Sequence, residues 1–368
     1  MDRVQQFINY YNGEPLIIQL VWIVACMLFF TTLIFIIYLK ILRVKLRRNE
    51  KLITKFSKEY ELLLVTYLYT ESGEDGEISS EQKEVIDKLK ESITNKFKRE
   101  IVVLSFLKLT NEITGEMAES IYNLYANTKL KKYALAKLKS RKWDVIAGGI
   151  RELTLFHVKE AHDKVIKHVN HSKREVRKEV QLYLVNLFNF KGLNFLDDLK
   201  TPLSEWDQIQ LLEELQKSED QQIPDITAWL KSPNDYVVVF ALKLAKIYNQ
   251  FGMKEVLIDL LNHTSEKVRL ELLPVLSYLH VLESKEVLKK DFNSRTKDEQ
   301  IAIFKLLENL GETEDEPFIL RHIHNSNFEI KFSALKILKD INIEKFRSFN
   351  LVPPESEFVK MVLFIENN

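Results

Sequence analysis

The chain has 368 residues, 46% of them apolar, and its 53 Lys and Arg balance 53 Asp and Glu to a net charge of zero. Only nine Gly and eight Pro in that length indicate an ordered, helical chain of one large domain or two. The single cysteine, Cys26, excludes an intramolecular disulfide framework and fits a reducing compartment for everything after it.

Leu16 to Leu39 is an apolar run of 24 residues, relieved only by Gln19 and the hydroxyls of Thr31, Thr32 and Tyr38. As a helix it reaches about 36 Å, enough to cross a hydrocarbon core of about 30 Å with some tilt. It lacks the basic start, short core and small-residue cleavage site of a signal peptide, so residues 16–39 are expected to be a retained transmembrane helix. Lys40, Arg43, Lys45, Arg47, Arg48, Lys51 and Lys55 crowd its C-terminal flank, against Arg3 alone on the other. The positive-inside rule then puts residues 1–15 outside an inner (plasma) membrane and the rest in the cytoplasm. The same cations sit where anionic headgroups attract them by about 1 kcal/mol each.

Residues 40–70 continue as a basic juxtamembrane helix. Leu42, Leu46, Asn49, Ile53, Phe56, Tyr60, Leu63 and Tyr67 alternate steps of four and three, a heptad pattern. Two readings fit: a homodimer through residues 42–67 with Asn49 setting register, or one helix laying its apolar stripe on the rest of its own chain. Residues 71–82, ESGEDGEISSEQ, form an acidic linker, and Ser79 with Gln82 reads as a helix-capping box. Val85, Ile86, Leu89, Ile93 and Phe97 give the next amphipathic helix, and Ile101 to Leu109 is apolar but too short for a span, so it is expected to be buried. Residues 83–137 form a helical N-terminal cap region, and its last part, 107–137, shares the phase of a repeat that begins at residue 138.

From residue 138 to 352 the sequence repeats. Val169 closes a short helical pattern, Asn170 and Ser172 make a turn, and Val176, Val180, Leu184 and Leu187 mark one face of a second helix. The same pairing over seven residues recurs at Leu138 and Val145, Leu199 and Trp206, Leu230 and Val237, Leu261 and Val268, Phe292 and Glu299, and Ile323 and Ile330. Successive second-helix markers are separated by 31, 30, 31, 31, 31 and 31 residues. Four and eight residues after each marker the chain is small or aliphatic, except at Gln210 and Glu214, so the Trp206 repeat is divergent or out of register. Pro353-Pro354 should stop the preceding helix, leaving a closing helix in residues 353–368 whose phase positions are Pro354, Met361 and Ile365.

Two amphipathic helices in about 31 residues are what stacked hairpins require, because each hairpin buries its apolar face only against its neighbours. The phrases NHSKREVRKEV (170–180) and NHTSEKVRLEL (262–272) resemble HEAT-like repeats of the short bacterial type, in which a Val-Arg pair opens the second helix. That pair stands at Val176-Arg177 and Val268-Arg269, with Ile330-Lys331 a near match. The resemblance covers roughly residues 107–368 and implies an all-α HEAT-like solenoid, but no single activity.

Chemistry is not legible. His157 and His162, His168 and His171, and His322 and His324 have no Cys or carboxylate at a zinc spacing, and turn histidines such as His168, His171 and His263 read as solvated. No Gly-rich phosphate loop occurs, and Gly148-Gly149 reads as a close helix contact. Some HEAT-like families act as lyases or DNA glycosylases, but no local motif here carries those activities over. Trp143, Trp206 and Trp229, at helical spacing, are expected in the core. No metal and no cofactor is expected, and the chain is not expected to be an enzyme.

Charge is more informative. Residues 129–178 hold fifteen Lys and Arg against five acids, whereas residues 193–236 hold ten acids and three bases. Lys139, Arg141, Lys142, Lys173, Arg174, Arg177 and Lys178 form a candidate partner-binding basic face. The expectation is a single-pass, membrane-anchored scaffold that binds and recruits partner proteins. The alternative is a binder of anionic lipid surface or nucleic acid through the basic face; the tether and the acidic stretch disfavour nucleic acid.

Overall fold

A computed structural model describes residues 15–70, 78–110, 112–217, 223–349 and 357–367, with Gln5, Tyr10, Asn12 and Gly13 before them. Every regular element among the described residues is helical. The chain divides into two compact units, Met1–Tyr133 and Ala134–Asn368.

In the first unit, no Gly or Pro interrupts residues 16–69, and they form one continuous helix, α1, Leu16–Tyr69, of 54 residues. One helix among the described residues is thus long and apolar enough to cross a membrane. Its apolar N-terminal half is exposed, while Tyr60, Leu64 and Tyr67 are buried. They pack against α2 (Ser80–Ser92), α3 (Lys96–Thr110) and α4 (Glu116–Asn127). The capping box is present: Ser79 Oγ accepts from the Gln82 N–H, and Gln82 Oε1 accepts from the Ser79 N–H. The Gln82 amide also donates to the carbonyls of Tyr67 and Thr70, which ties the start of α2 to the end of α1. Residues 71–77 of the acidic linker lie outside the described residues. Val85, Ile86, Leu89 and Ile93 are buried, as are Ile101, Val102 and Phe106.

The second unit is an α-solenoid of helical hairpins. After α5 (Lys131–Lys137), the second helices of successive hairpins are α6 (Trp143–Leu155), α7 (Arg174–Phe188), α8 (Glu205–Gln216), α9 (Asp235–Ile247), α10 (Glu266–Tyr278), α11 (Lys297–Leu310), α12 (Phe328–Ile341) and α13 (Glu357–Asn367). The first helices are only one or two turns, several of them partly 3-10, such as Lys254–Asp259 and Leu260–Asn262. So few residues remain between the end of one second helix and the next turn that a longer helix does not fit. Second helices pack on one another, α6 on α7, α7 on α8, and α9 through α13 in turn.

The repeat phase is the burial phase. Leu138, Val169, Leu199, Leu230, Leu261, Phe292 and Ile323 on the first helices are buried, as are Val176, Val237, Val268, Glu299 and Ile330 on the second. Met361 and Ile365 of α13 are buried too, while Pro353 and Pro354 lie outside the described residues. The Trp206 repeat needs correction: Trp206 is 59% exposed, and the buried marker is Asp207, one residue later. In that register the positions four and eight residues on are Leu211 and Leu215, both buried, so the repeat is not divergent but shifted by one. Asp207 is a polar residue at an aliphatic position, which hid the phase from a search for apolar periodicity. Trp143 is likewise exposed, and only Trp229 joins the core, its indole donating to Asp197 at 2.7 Å.

Two glycines fix close approaches. A Cβ at Gly149 would lie 2.8 Å from the Lys137 Cβ, whereas Gly148 faces open space. At Gly192, in the 3-10 run Asn189–Asp198, a Cβ would overlap the Leu184 carbonyl at the end of α7. Several second helices end in a left-handed residue, His157, Asn249 and His280 each at φ 51°. The amide after each reaches back five residues, Val158 to Leu153, Gln250 to Ala245 and Val281 to Leu276, the bonding of a Schellman turn.

Candidate protein-binding surface

The turn that opens each second helix is built by a side chain the apolar pattern does not reveal. Five residues before the marker, Ser140, His171, Ser232, His263 and Asn325 each accept the backbone N–H two residues on, at 3.0, 3.0, 3.2, 3.1 and 2.8 Å. His171 and His263 are therefore not simply solvated; their Nδ1 atoms fold the turn. The repeats with Pro202 and Ser294 at that place use capping boxes instead, Ser204 with Asp207 and Thr296 with Glu299.

The Val-Arg pair has a local purpose. Arg177 Nη1 donates to the carbonyls of His171 and Ser172 at 2.8 and 3.1 Å, and Arg269 makes the same bonds to His263 and Thr264. Other cations bridge to the next repeat. Lys137 meets Glu152 at 2.6 Å, Arg151 meets Glu179, Arg174 meets Asp207 at 3.0 Å, Arg269 meets Glu299 at 2.7 Å, and Lys285 meets Asp315 at 2.9 Å. All five carboxylates are buried. Burial alone would raise the Glu299 carboxyl, but bonds from Arg269, the Thr296 amide and Arg295 outweigh it and hold the group at about 2 against an ordinary 4.5. Asp207 and Asp315 are lowered by the same balance, burial opposed by Arg174 and Ser204 in one, by Lys289, the Glu312 amide and Lys285 in the other. Sequence reasoning missed these pairs. Their signal is a cation followed 28 to 33 residues later by an acid, as in Arg151 with Glu179 and Arg174 with Asp207.

These bonds divide the seven residues of the basic face. Lys139, Arg141, Lys142 and Lys173 are exposed on the inter-helix turns, Lys142 and Lys173 at the N-caps of α6 and α7. Arg174 is engaged by Asp207 and Ser204, Arg177 by the turn carbonyls, and Lys178 is half-buried. His168, on the same edge, is held below the usual imidazole range by burial and by His171.

The second helices present another surface. Lys267 of α10 lies 3.8 Å from Glu205 of α8, two repeats away, with the Tyr236 ring of α9 beneath it at 5.6 Å. Two interaxial steps amount to about 16–20 Å, so these helices lean together and their exposed side is the inside of a bend. Along it, between α10 and α11, runs a groove. One end, of about 560 Å³, has Leu273, Pro274, Tyr278, Ala302 and Leu306 with Lys246, His280 and Lys305 around them and no carboxylate. The other, of about 500 Å³, is lined by Glu266, Glu271 and Asp298 with Lys267, Leu270 and Pro274. Pro274 lies within α10 and has no N–H to offer the Leu270 carbonyl one turn earlier. Among the described residues no three His, Cys, Asp or Glu side chains are grouped to hold a metal ion.

No family model matches the chain, and no curated protein matches its sequence. Among solved structures it is similar to a chain of a Kap95p complex with RanGDP, described for nuclear import complex assembly, at 13% identity and a TM-score of 0.38. That match covers 78% of this chain and 47% of the other, so this chain spans less than half its length. It is also similar to the complex of CpcE and CpcF of phycocyanin lyase from Nostoc sp., at 11% identity and a TM-score of 0.24, covering 81% of this chain and 97% of that one.

Proposed function

We propose that the chain is a single-pass membrane protein whose solenoid, related to HEAT-like repeats, is a non-catalytic scaffold that recruits partner proteins to the inner (plasma) membrane. Residues 16–39 span the bilayer with residues 1–15 outside, residues 40–70 carry the basic flank, the acidic linker 71–82 and cap region 83–137 come next, and repeats 138–352 close with residues 353–368. The groove between α10 and α11 carries the reading. Its apolar floor, with cations at one end and carboxylates at the other, suits an amphipathic helix or extended segment with acids at one end and bases at the other.

The test extracts full-length tagged protein from membranes in mild detergent and compares its co-purifying proteins with those of a version lacking residues 134–368 and of the variant Lys246→Glu with Lys305→Glu. Specific partners absent from the truncation and depleted from the double variant support the scaffold and its groove. Partners retained by the truncation overturn both.

Four exposed cations, Lys139, Arg141, Lys142 and Lys173, favour one second reading, binding of anionic vesicles or nucleic acid through the turn edge. Charge reversal at these four, sparing Arg174 and Arg177 because they brace the repeats, should abolish a steeply salt-dependent association. Unchanged association removes that reading.

A further inference from the structure

The fold splits the heptad stripe of α1 in two. From Phe56 onward it is covered: the Lys98 ammonium lies 5.0 Å over the Phe56 ring, and Tyr60 and Tyr67 are 1% and 5% exposed. Before Phe56 it is not, with Leu46 58% and Ile53 40% exposed. Leu42, Leu46, Asn49 and Ile53 thus leave a short apolar seam between the end of the apolar run and the point where α2–α4 close over the helix.

We propose that a second copy of this chain covers that seam, α1 pairing with α1 in a parallel coiled coil over residues 42–56. Steps of four, three, four and three place Leu42, Asn49 and Phe56 at d and Leu46 and Ile53 at a. Two chains held by the same membrane span enter side by side in one direction, and because α1 has no break the phase at the membrane is carried into the seam. Charge fits a copy of the chain better than an acidic partner. Lys45 falls at g and Glu50 at the following e, the positions that meet across a parallel pair, so each chain offers the other one attractive contact on each side. Arg47, Arg48, Lys51 and Lys55 fall at b, c and f, away from the seam, where an acidic partner would seek them. About two heptads are too few to pair freely in solution, but shared anchorage makes the second contact intramolecular in effect. Asn49 against Asn49 of the partner copy fixes the register. The inference rests on the membrane-spanning reading of residues 16–39, not on the scaffold.

Single cysteines placed in full-length protein with Cys26→Ser, and oxidised in native membranes with copper phenanthroline, test it. Leu46→Cys, Asn49→Cys and Ile53→Cys should give a disulfide-linked species of twice the monomer mass, and Arg47→Cys and Lys51→Cys should not. Adding Leu46→Glu to Ile53→Cys should abolish the Ile53→Cys dimer. Adducts of another mass, equal dimer at seam and outer positions, or no dimer at any seam position would overturn the proposal. A cysteine at Ser72 that reacts with an impermeant thiol reagent in intact cells would instead overturn the topology, so the two failures are told apart.

Discussion

Glu299 stands where Val176, Val237, Val268 and Ile330 stand in their repeats, and it is as buried as they are. An aliphatic position tolerates a carboxylate there because Arg269 reaches it from the preceding repeat, Arg295 from its own turn at 3.2 Å, and the Thr296 amide completes its bonds. Removing the acid leaves two arginines facing a buried gap, so Glu299→Gln should cost about 3 kcal/mol in urea unfolding of the detergent-extracted full chain. The pH dependence has a definite sign. With the folded carboxyl held at about 2 and the ordinary value 4.5, its contribution is complete above 4.5 and is lost as pH falls toward 2. The stability gap between wild type and Glu299→Gln should close over that window; a gap that stays constant would show that the charge is not what stabilises. At this scale the sequence was poorly legible. Asp207 and Glu299 are core residues by position and surface residues by type, and an apolar search passes over one and misplaces the other by a residue.

At the scale of the helix, the second helices were legible because 3.6-residue spacing and turn residues coincide, as at Ser79 with Gln82. The short first helices and the ends of the second were not, since those are decided by backbone geometry. His280 occupies the left-handed end of α10 at φ 51°, where a Cβ is strained. His280→Gly should therefore raise the stability of the chain by about 1 kcal/mol. Gly192 is the opposite case, because its hydrogen faces the Leu184 carbonyl across a space no side chain fits. Gly192→Ala should lower stability by about 2 kcal/mol or more, read as a lower thermal midpoint. Unchanged midpoints in both variants would show that these turns relax at no cost.

For the whole molecule, the 31-residue phase revealed the solenoid because nearest-neighbour stacking imposes one repeated burial pattern. The groove escaped, since α10 and α11 bring its two ends together from residues more than thirty positions apart, such as Glu266 and Asp298. Topology is a prediction at this scale too: in a Cys26→Ser chain, Ser72→Cys should resist an impermeant thiol reagent in intact cells and react after lysis. Labelling before lysis would place the solenoid on the other side of the membrane.

The unbroken course of α1 also makes it a ruler. With residues 16–39 in the bilayer, the first buried side chain of the head, Tyr60, stands about 32 Å beyond Leu39 at 1.5 Å per residue. A rod without Gly or Pro holds that standoff and also the direction in which the head points. Seven inserted residues would lift the head by about 10 Å and keep its bearing, whereas a single one would barely lift it but swing it through about 100°. Height and bearing above the bilayer are therefore set separately, by the count of residues in one helix.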